Sequence, residues 1–270
     1  MILIFDLGGS KMRVALAENG LIGEILRVPT DRSAEGFGKF LAILQGVVKG
    51  QPIEAVAGGF PGQLQGEDGE LVVATNLPHW RGQLLLKELK ALFDCPVHIT
   101  NDVELCGLGE AKYGAGSTKG IMAYYTVSTG VNAVRLLDGE IDHTVSRYEL
   151  GKQIVSNVDG EPQALEPLIG GAALEKRTGM SPHDIHDQEV WRELERSLAI
   201  GVYNTALYWN PELVVIGGSM MRDIKVENVA EALHKLPNVY ERWPRLEPAT
   251  LGDEGGIRGA MVWLGQLGYK

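Results

Sequence analysis

Six residues near the start of the chain, DLGGSK from Asp6 to Lys11, lie between two apolar runs and restrict the backbone sharply. Ile2, Leu3, Ile4 and Phe5 read as a buried strand, and Met12 to Ala17 as a second one. So short a link permits only a tight hairpin. Gly8 and Gly9 admit positive φ and let a ligand come close to the main chain. Their N–H groups, the Ser10 hydroxyl and the Lys11 ammonium can together form a phosphate cradle. Asp6, at the strand end, is placed to face a hydrated Mg²⁺ through water. Taken alone, the segment suits a plain β-hairpin with a Gly-Gly turn equally well.

With 270 residues the chain is long for a single core, which predicts two lobes. A hydrophobic share of 44% with 22% charged residues fits a soluble globular protein. The net charge of −10 argues against nucleic-acid and anionic-membrane partners, although a local basic pocket is compatible with it. Two cysteines, Cys95 and Cys106, with no signal peptide and no long apolar span, imply a reduced, cytoplasmic setting. His79, His98, His143, His183, His186 and His234 are scattered, and two cysteines alone do not make a zinc site. No zinc is expected.

The hydrophobic pattern is α/β, given twice. Strands at 2–5, 12–17 and 22–28 precede a helix over 34–49, a strand at 54–58, a helix at 82–93, a strand at 96–100 and a helix at 102–112. Further strands fall at 121–127 and 131–137, with helices near 163–178 and 188–209, a strand at 213–216 and helices at 225–236 and 256–267. Trp191, Leu194, Leu198, Val202 and Leu207 on the 188–209 helix read as core or as a subunit seam. The Gly/Ser-rich connector Gly114 to Lys119 marks a boundary. One lobe then covers 1–114 and is joined by the C-terminal segment 255–270, and the other covers 115–254. A cleft between the lobes is the expected ligand site.

Four further segments carry candidate chemistry. Phe60-Pro61-Gly62 ends a strand with exposed backbone donors, and Asn76-Leu77-Pro78-His79-Trp80 offers an amide suited to a polyhydroxylated ligand. A Pro turn with Trp80 docked in the core accounts for the same residues. Thr100-Asn101-Asp102-Val103-Glu104 is a strand end running into a helix, where free N–H groups favour an ionised Asp102. That carboxylate serves either as a helix cap or as a base that takes a hydroxyl proton. Ser128-Thr129-Gly130, between two strands, is a second phosphate turn or an ordinary hairpin. Val214 to Ser219 brings a buried strand onto Gly217-Gly218, bare backbone on which a base and ribose can lie.

In this order the segments resemble the ROK group of sugar kinases and regulators, within the actin-like ATPase superfamily. DLGGSK is similar to the family's first phosphate loop, FPG and NLPHW to its sugar-side loops, and Asn101-Asp102 to its Asn-Asp pair. Ser128-Thr129-Gly130 resembles the second phosphate loop and Asp138-Gly139-Glu140 the hairpin after it. Glu149 in ELGK resembles the Glu of the family's E-x-G-H, Gly217-Gly218-Ser219 the adenosine motif, and LGDEGGIRGA at 251–260 the closing helix.

The resemblance implies a two-lobed actin-like (ribonuclease H-like) α/β fold and transfer of a phosphoryl group from ATP, with Mg²⁺, to a sugar hydroxyl. It implies Asp102 as general base. Gly62, Asn76, Asn101, Asp102, Glu149 and Lys152 would bind the sugar, and Asp6, Gly8, Gly9, Ser10, Lys11, Thr129, Gly130, Gly217 and Gly218 the nucleotide and its phosphates. A homodimer is implied in the same way. Three departures stand out. The E-x-G-H histidine is Lys152, which would reach sugar hydroxyls, pair with Glu149 or point to solvent. No cysteine occurs in 153–167, where the family's zinc segment usually lies, and polyphosphate-dependent glucokinases of the group also lack it. After Thr129-Gly130 the chain reads VNAVR in place of a run of glycines, which narrows the room for a triphosphate. The alternatives are a non-catalytic sugar-binding or regulatory protein, which this last change supports, and a polyphosphate-dependent glucokinase.

Overall fold

The structure, a computed structural model, describes residues 1–74, 76–142 and 147–269, so that His143 lies outside the described residues. The chain begins β1 (Ile2–Leu7), β2 (Lys11–Glu18), β3 (Leu21–Ile22), β4 (Leu26–Pro29), α1 (Gly36–Val48), β5 (Ala55–Phe60), β6 (Gln63–Gln65) and β7 (Glu70–Val73). It continues with α2 (Leu85–Phe93), β8 (Val97–Asn101), α3 (Asp102–Tyr113), β9 (Ile121–Val127), β10 (Val131–Leu137) and β11 (Glu140–Ile141). Then follow β12 (Ile154–Val158), β13 (Glu161–Ala164), α4 (Leu165–Ile169), α5 (Gly171–Thr178) and α6 (Gln188–Trp209). The chain closes with β14 (Leu213–Gly217), α7 (Val226–His234), β15 (Arg245–Pro248) and α8 (Gly255–Gln266). Two compact units result, Met1–Gly109 with Asp253–Lys270, and Glu110–Gly252.

In the first unit the sheet order is β3-β2-β1-β5-β8, with β4 also paired to β2. β1 and β5 are buried along their whole lengths, as strands covered on both faces are. β1 is antiparallel to β2, whereas β1, β5 and β8 run parallel, so their carboxyl ends meet on one edge. Phe5, Phe40, Phe60 and Trp80 fill the core on one side of this sheet, with Phe5 and Phe40 edge to face at 5.3 Å. Trp80 is 1% exposed and belongs to that core.

The second unit repeats the plan with the order β11-β10-β9-β14-β15. An antiparallel β9–β10 hairpin is followed by parallel β14 and β15. α6 starts at Asp187, whose side chain accepts the Glu189 N–H, and ends at Asn210 in the left-handed region. Trp191, Leu194, Leu198 and Val202 are buried in the core of this unit, while Leu207 is on its surface.

Several spans differ from those read in the sequence. The strand expected over 22–28 is two short strands, β3 and β4, because Gly23 turns its N–H onto the Leu16 carbonyl at 2.9 Å. The helix expected over 163–178 breaks at Gly170, which is extended, so that Gly171 and Ala172 can donate to the Ser128 and Thr129 carbonyls. Six short strands, β6, β7, β11, β12, β13 and β15, are not among those expected from the sequence. Each is brief and of mixed polarity, which gives little periodic signal. Among the described residues no helix is long and apolar enough to cross a membrane.

Candidate active site

In the first unit the carboxyl ends of β1, β5 and β8 gather the candidate residues, as open parallel sheets generally do. Register pairs Asp6 with Gly59 and Phe60 with Asn101. The Asn101 Nδ2 donates to the Phe60 carbonyl at 3.4 Å, joining these two segments. Asn76 is brought against the first loop: a Cβ at Gly9 would lie 2.7 Å from Asn76 Cβ. Gly62 lies as closely over the β7 end, where an added Cβ would meet the Val73 carbonyl at 2.2 Å.

The first loop keeps its glycines for closeness and not for φ, since neither Gly8 nor Gly9 is in the left-handed region. The Gly8 N–H closes the turn onto the Lys11 carbonyl at 2.9 Å, so that donor is spent inside the loop. Thr30 Oγ1 donates to the Gly8 carbonyl at 2.8 Å, and Arg32 donates to the Gly9 carbonyl at 2.7 Å and to Ser10 Oγ at 2.8 Å. Lys11 is largely exposed, with Nζ 4.0 Å from Asp253.

Asp6 is buried opposite Arg13 across the hairpin, with 3.2 Å between Oδ2 and the guanidinium. Arg13 also reaches Asp253 at 2.5 Å. Burial lifts the Asp6 carboxyl to about 6, opposed chiefly by the Arg13 charge and hydrogen bond. One carboxylate in this position fits a Mg²⁺ that brings its own waters and phosphate oxygens, and not a caged ion. Among the described residues no three His, Cys, Asp or Glu side chains gather to hold a metal.

Asp102 is the first residue of α3. The cap of that helix is made by its neighbours. Asn101 Oδ1 accepts the Val103 N–H at 3.0 Å, and the Glu104 carboxylate reaches back to the Asn101 N–H at 3.0 Å and to the Thr100 hydroxyl. This is a reciprocal capping arrangement, legible as N-x-x-E at 101–104. Asp102 Oδ1 accepts the same Val103 N–H at 3.1 Å, and the helix terminus favours its charge.

The second unit brings together the other candidates. Gly217 pairs in register with Thr126 on neighbouring strands, and the Ser219 N–H donates to Ser128 Oγ at 3.0 Å. Gly218 has φ 103°, and a Cβ there would lie 2.3 Å from the Val127 carbonyl, so only glycine lets the two turns touch. Gly130 is bounded by Glu166, whose Oε2 would be 2.7 Å from an added Cβ and accepts the Val131 N–H at 2.9 Å. Lys152 donates to the other Glu166 oxygen. Glu149 precedes the short 3₁₀ turn Leu150–Lys152 and is exposed. After β10, Asp138 and Gly139 both have positive φ, as the tightest hairpin turn requires. Arg13, Arg32, Glu104, Asn132 and Glu166 were not singled out as site residues in the sequence. Of these, only Glu104 has a local signature.

The model of the ROK family matches residues 3–266. The chain belongs to the ROK family. A fructokinase from Pediococcus pentosaceus is 26% identical over 98% of this chain and 97% of its own. An inorganic polyphosphate/ATP-glucomannokinase from Arthrobacter sp. strain KM superposes with a TM-score of 0.70 at 27% identity, covering 99% of this chain and 100% of that one. A ROK family glucokinase from Streptomyces griseus, solved in complex with glucose and AMPPNP, has a TM-score of 0.77 at 20% identity, covering 96% and 98%. The ROK chain described here thus has the two-lobed actin-like ATPase fold.

Proposed function

We propose that the chain is a sugar kinase that moves the terminal phosphoryl group of ATP to the C6 hydroxyl of a hexose or N-acetylhexosamine, with Asp102 as general base. The observation that carries this reading is the place of Asp102 at the start of α3. Asn101 and Glu104 cap the helix, and a carboxylate beside them stands at its positive end. Asp102 accepts the hydroxyl proton as the oxygen attacks phosphorus, and the phosphoryl passes in line to it. Asn101, Asn76, Gly62 and Glu149 orient the sugar ring. Lys11 and the loop before it, with Thr129 and Gly130, hold the phosphates, and Gly217 and Gly218 receive the nucleoside. Asp6 would hold Mg²⁺ through water, and the ion would neutralise charge on the transferring group. Most of the rate gain in such a transfer comes from positioning and charge stabilisation.

The engagement of Lys152 with Glu166 gives that ammonium a partner other than a sugar hydroxyl. The absence of cysteine from 153–167 supports a zinc-free enzyme. The acceptor position is tested with a sugar that turns over and its 6-deoxy analogue, following the phosphate ester by ³¹P NMR. The parent sugar yields a primary phosphate ester and the analogue none. A product formed equally from both moves the reaction to another hydroxyl.

A further inference from the structure

In the VNAVR segment, bulk replaces glycine where the second phosphate turn enters β10. Asn132 shows what that bulk does. Its Nδ2 donates to the Tyr148 carbonyl at 3.1 Å, and its Oδ1 accepts the Leu150 N–H at 3.0 Å. One carboxamide therefore holds the main chain on both sides of Glu149. The same oxygen accepts the Ala133 N–H at 2.9 Å, which fixes the side chain against its own strand. The rest of the turn is braced in keeping: the Tyr148 hydroxyl donates to Asp142 at 3.0 Å, and its ring stands edge-on to Trp209 at 4.6 Å. One residue before Asn132, the Val131 N–H is bound to Glu166, which also takes the Lys152 ammonium.

We propose that Asn132 is a positioning residue for the sugar: its carboxamide sets the direction in which Glu149 presents its carboxylate. The inference rests on the reading that Glu149 orients the sugar ring. A primary amide offers a donor and an acceptor together on one rigid plane. A glycine at 132 would leave the Tyr148 carbonyl and the Leu150 N–H without this brace. The departure that narrows the second phosphate turn is thus a tie to the sugar side of the same unit.

The test compares intact wild type, Asn132→Ala and Asn132→Asp by hydrogen exchange and by steady-state kinetics with each substrate varied. In Asn132→Ala the Leu150 amide loses its protection and the sugar KM rises about tenfold or more, while the nucleotide KM stays within about twofold. Asn132→Asp keeps the acceptor for the Leu150 N–H but sets a carboxylate against the Tyr148 carbonyl. It retains Leu150 protection and still raises the sugar KM, and it carries the test if the Ala variant fails to melt cooperatively. An unchanged sugar KM after loss of Leu150 protection overturns the positioning role alone, as does an equal rise in both KM values. A wild-type protein that turns over no sugar overturns the kinase reading, and the role of Asn132 falls with it.

Discussion

Asp102→Asn is expected to fold, to bind sugar as the wild type does and to lose turnover by about 10²–10⁴. The fold survives because Asn101 also accepts the Val103 N–H, Glu104 closes back on Asn101, and an Asn at 102 keeps the oxygen that shares that N–H. Sugar binding survives because an amide at 102 still donates and accepts hydrogen bonds. What disappears is the capacity to take the hydroxyl proton as the bond to phosphorus forms. The split between binding and turnover is the diagnostic feature, measured by calorimetric titration of the sugar beside kcat. A variant that keeps most of its kcat removes Asp102 from the base role. A variant that no longer melts cooperatively shows instead that the carboxylate holds the helix end.

The second large effect is on stability and lies behind the first loop. α8 packs backbone to backbone on α3: a Cβ on Gly259 would lie 1.7 Å from the Leu105 carbonyl, and one on Gly109 would lie 2.2 Å from the Gly255 carbonyl. The start of α8 also closes on the site, since a Cβ at Gly256 would be 2.4 Å from the Asp6 carboxyl carbon. Gly259→Ala must push the helices apart, at about 3 kcal/mol and several degrees of Tm. Gly265 in the same helix has open space around it, so Gly265→Ala should be neutral or stabilise by up to about 1 kcal/mol through helix propensity. Equal melting temperatures for the two variants would disprove the close packing of α8 on α3.

The parts of the site that a local pattern specifies were legible in the sequence. DLGGSK between two apolar runs forms the hairpin it suggests, and Asn101-Asp102 lies where a strand passes into a helix. The contacts made across the fold were not legible. Gly9 is small because Asn76, far along the chain, packs on it, and no property of the loop itself reports that. Asn132 read as an obstruction to phosphate because its partners at Tyr148 and Leu150 come from a turn whose path the sequence leaves open. The helix over 163–178 looked continuous by periodicity. It breaks at Gly170 because the Ser128–Thr129 carbonyls take up its amides, a tertiary demand that overrides helix propensity. Lys152 finds its partner fourteen residues on, in Glu166, within that same interrupted segment.

The most direct measurement is ADP release coupled to a reporter, run with the purified chain across glucose, fructose, mannose, N-acetylglucosamine and N-acetylmannosamine. ATP with Mg²⁺ is the donor in one series, and inorganic polyphosphate, scored by sugar phosphate formed, is the donor in the other. Sugar-dependent ADP release with at least one of these acceptors, abolished in Asp102→Asn, is the predicted result. Silence with every sugar and both donors, alongside thermal stabilisation by a sugar, would contradict it and leave a sugar-binding protein that does not transfer phosphate.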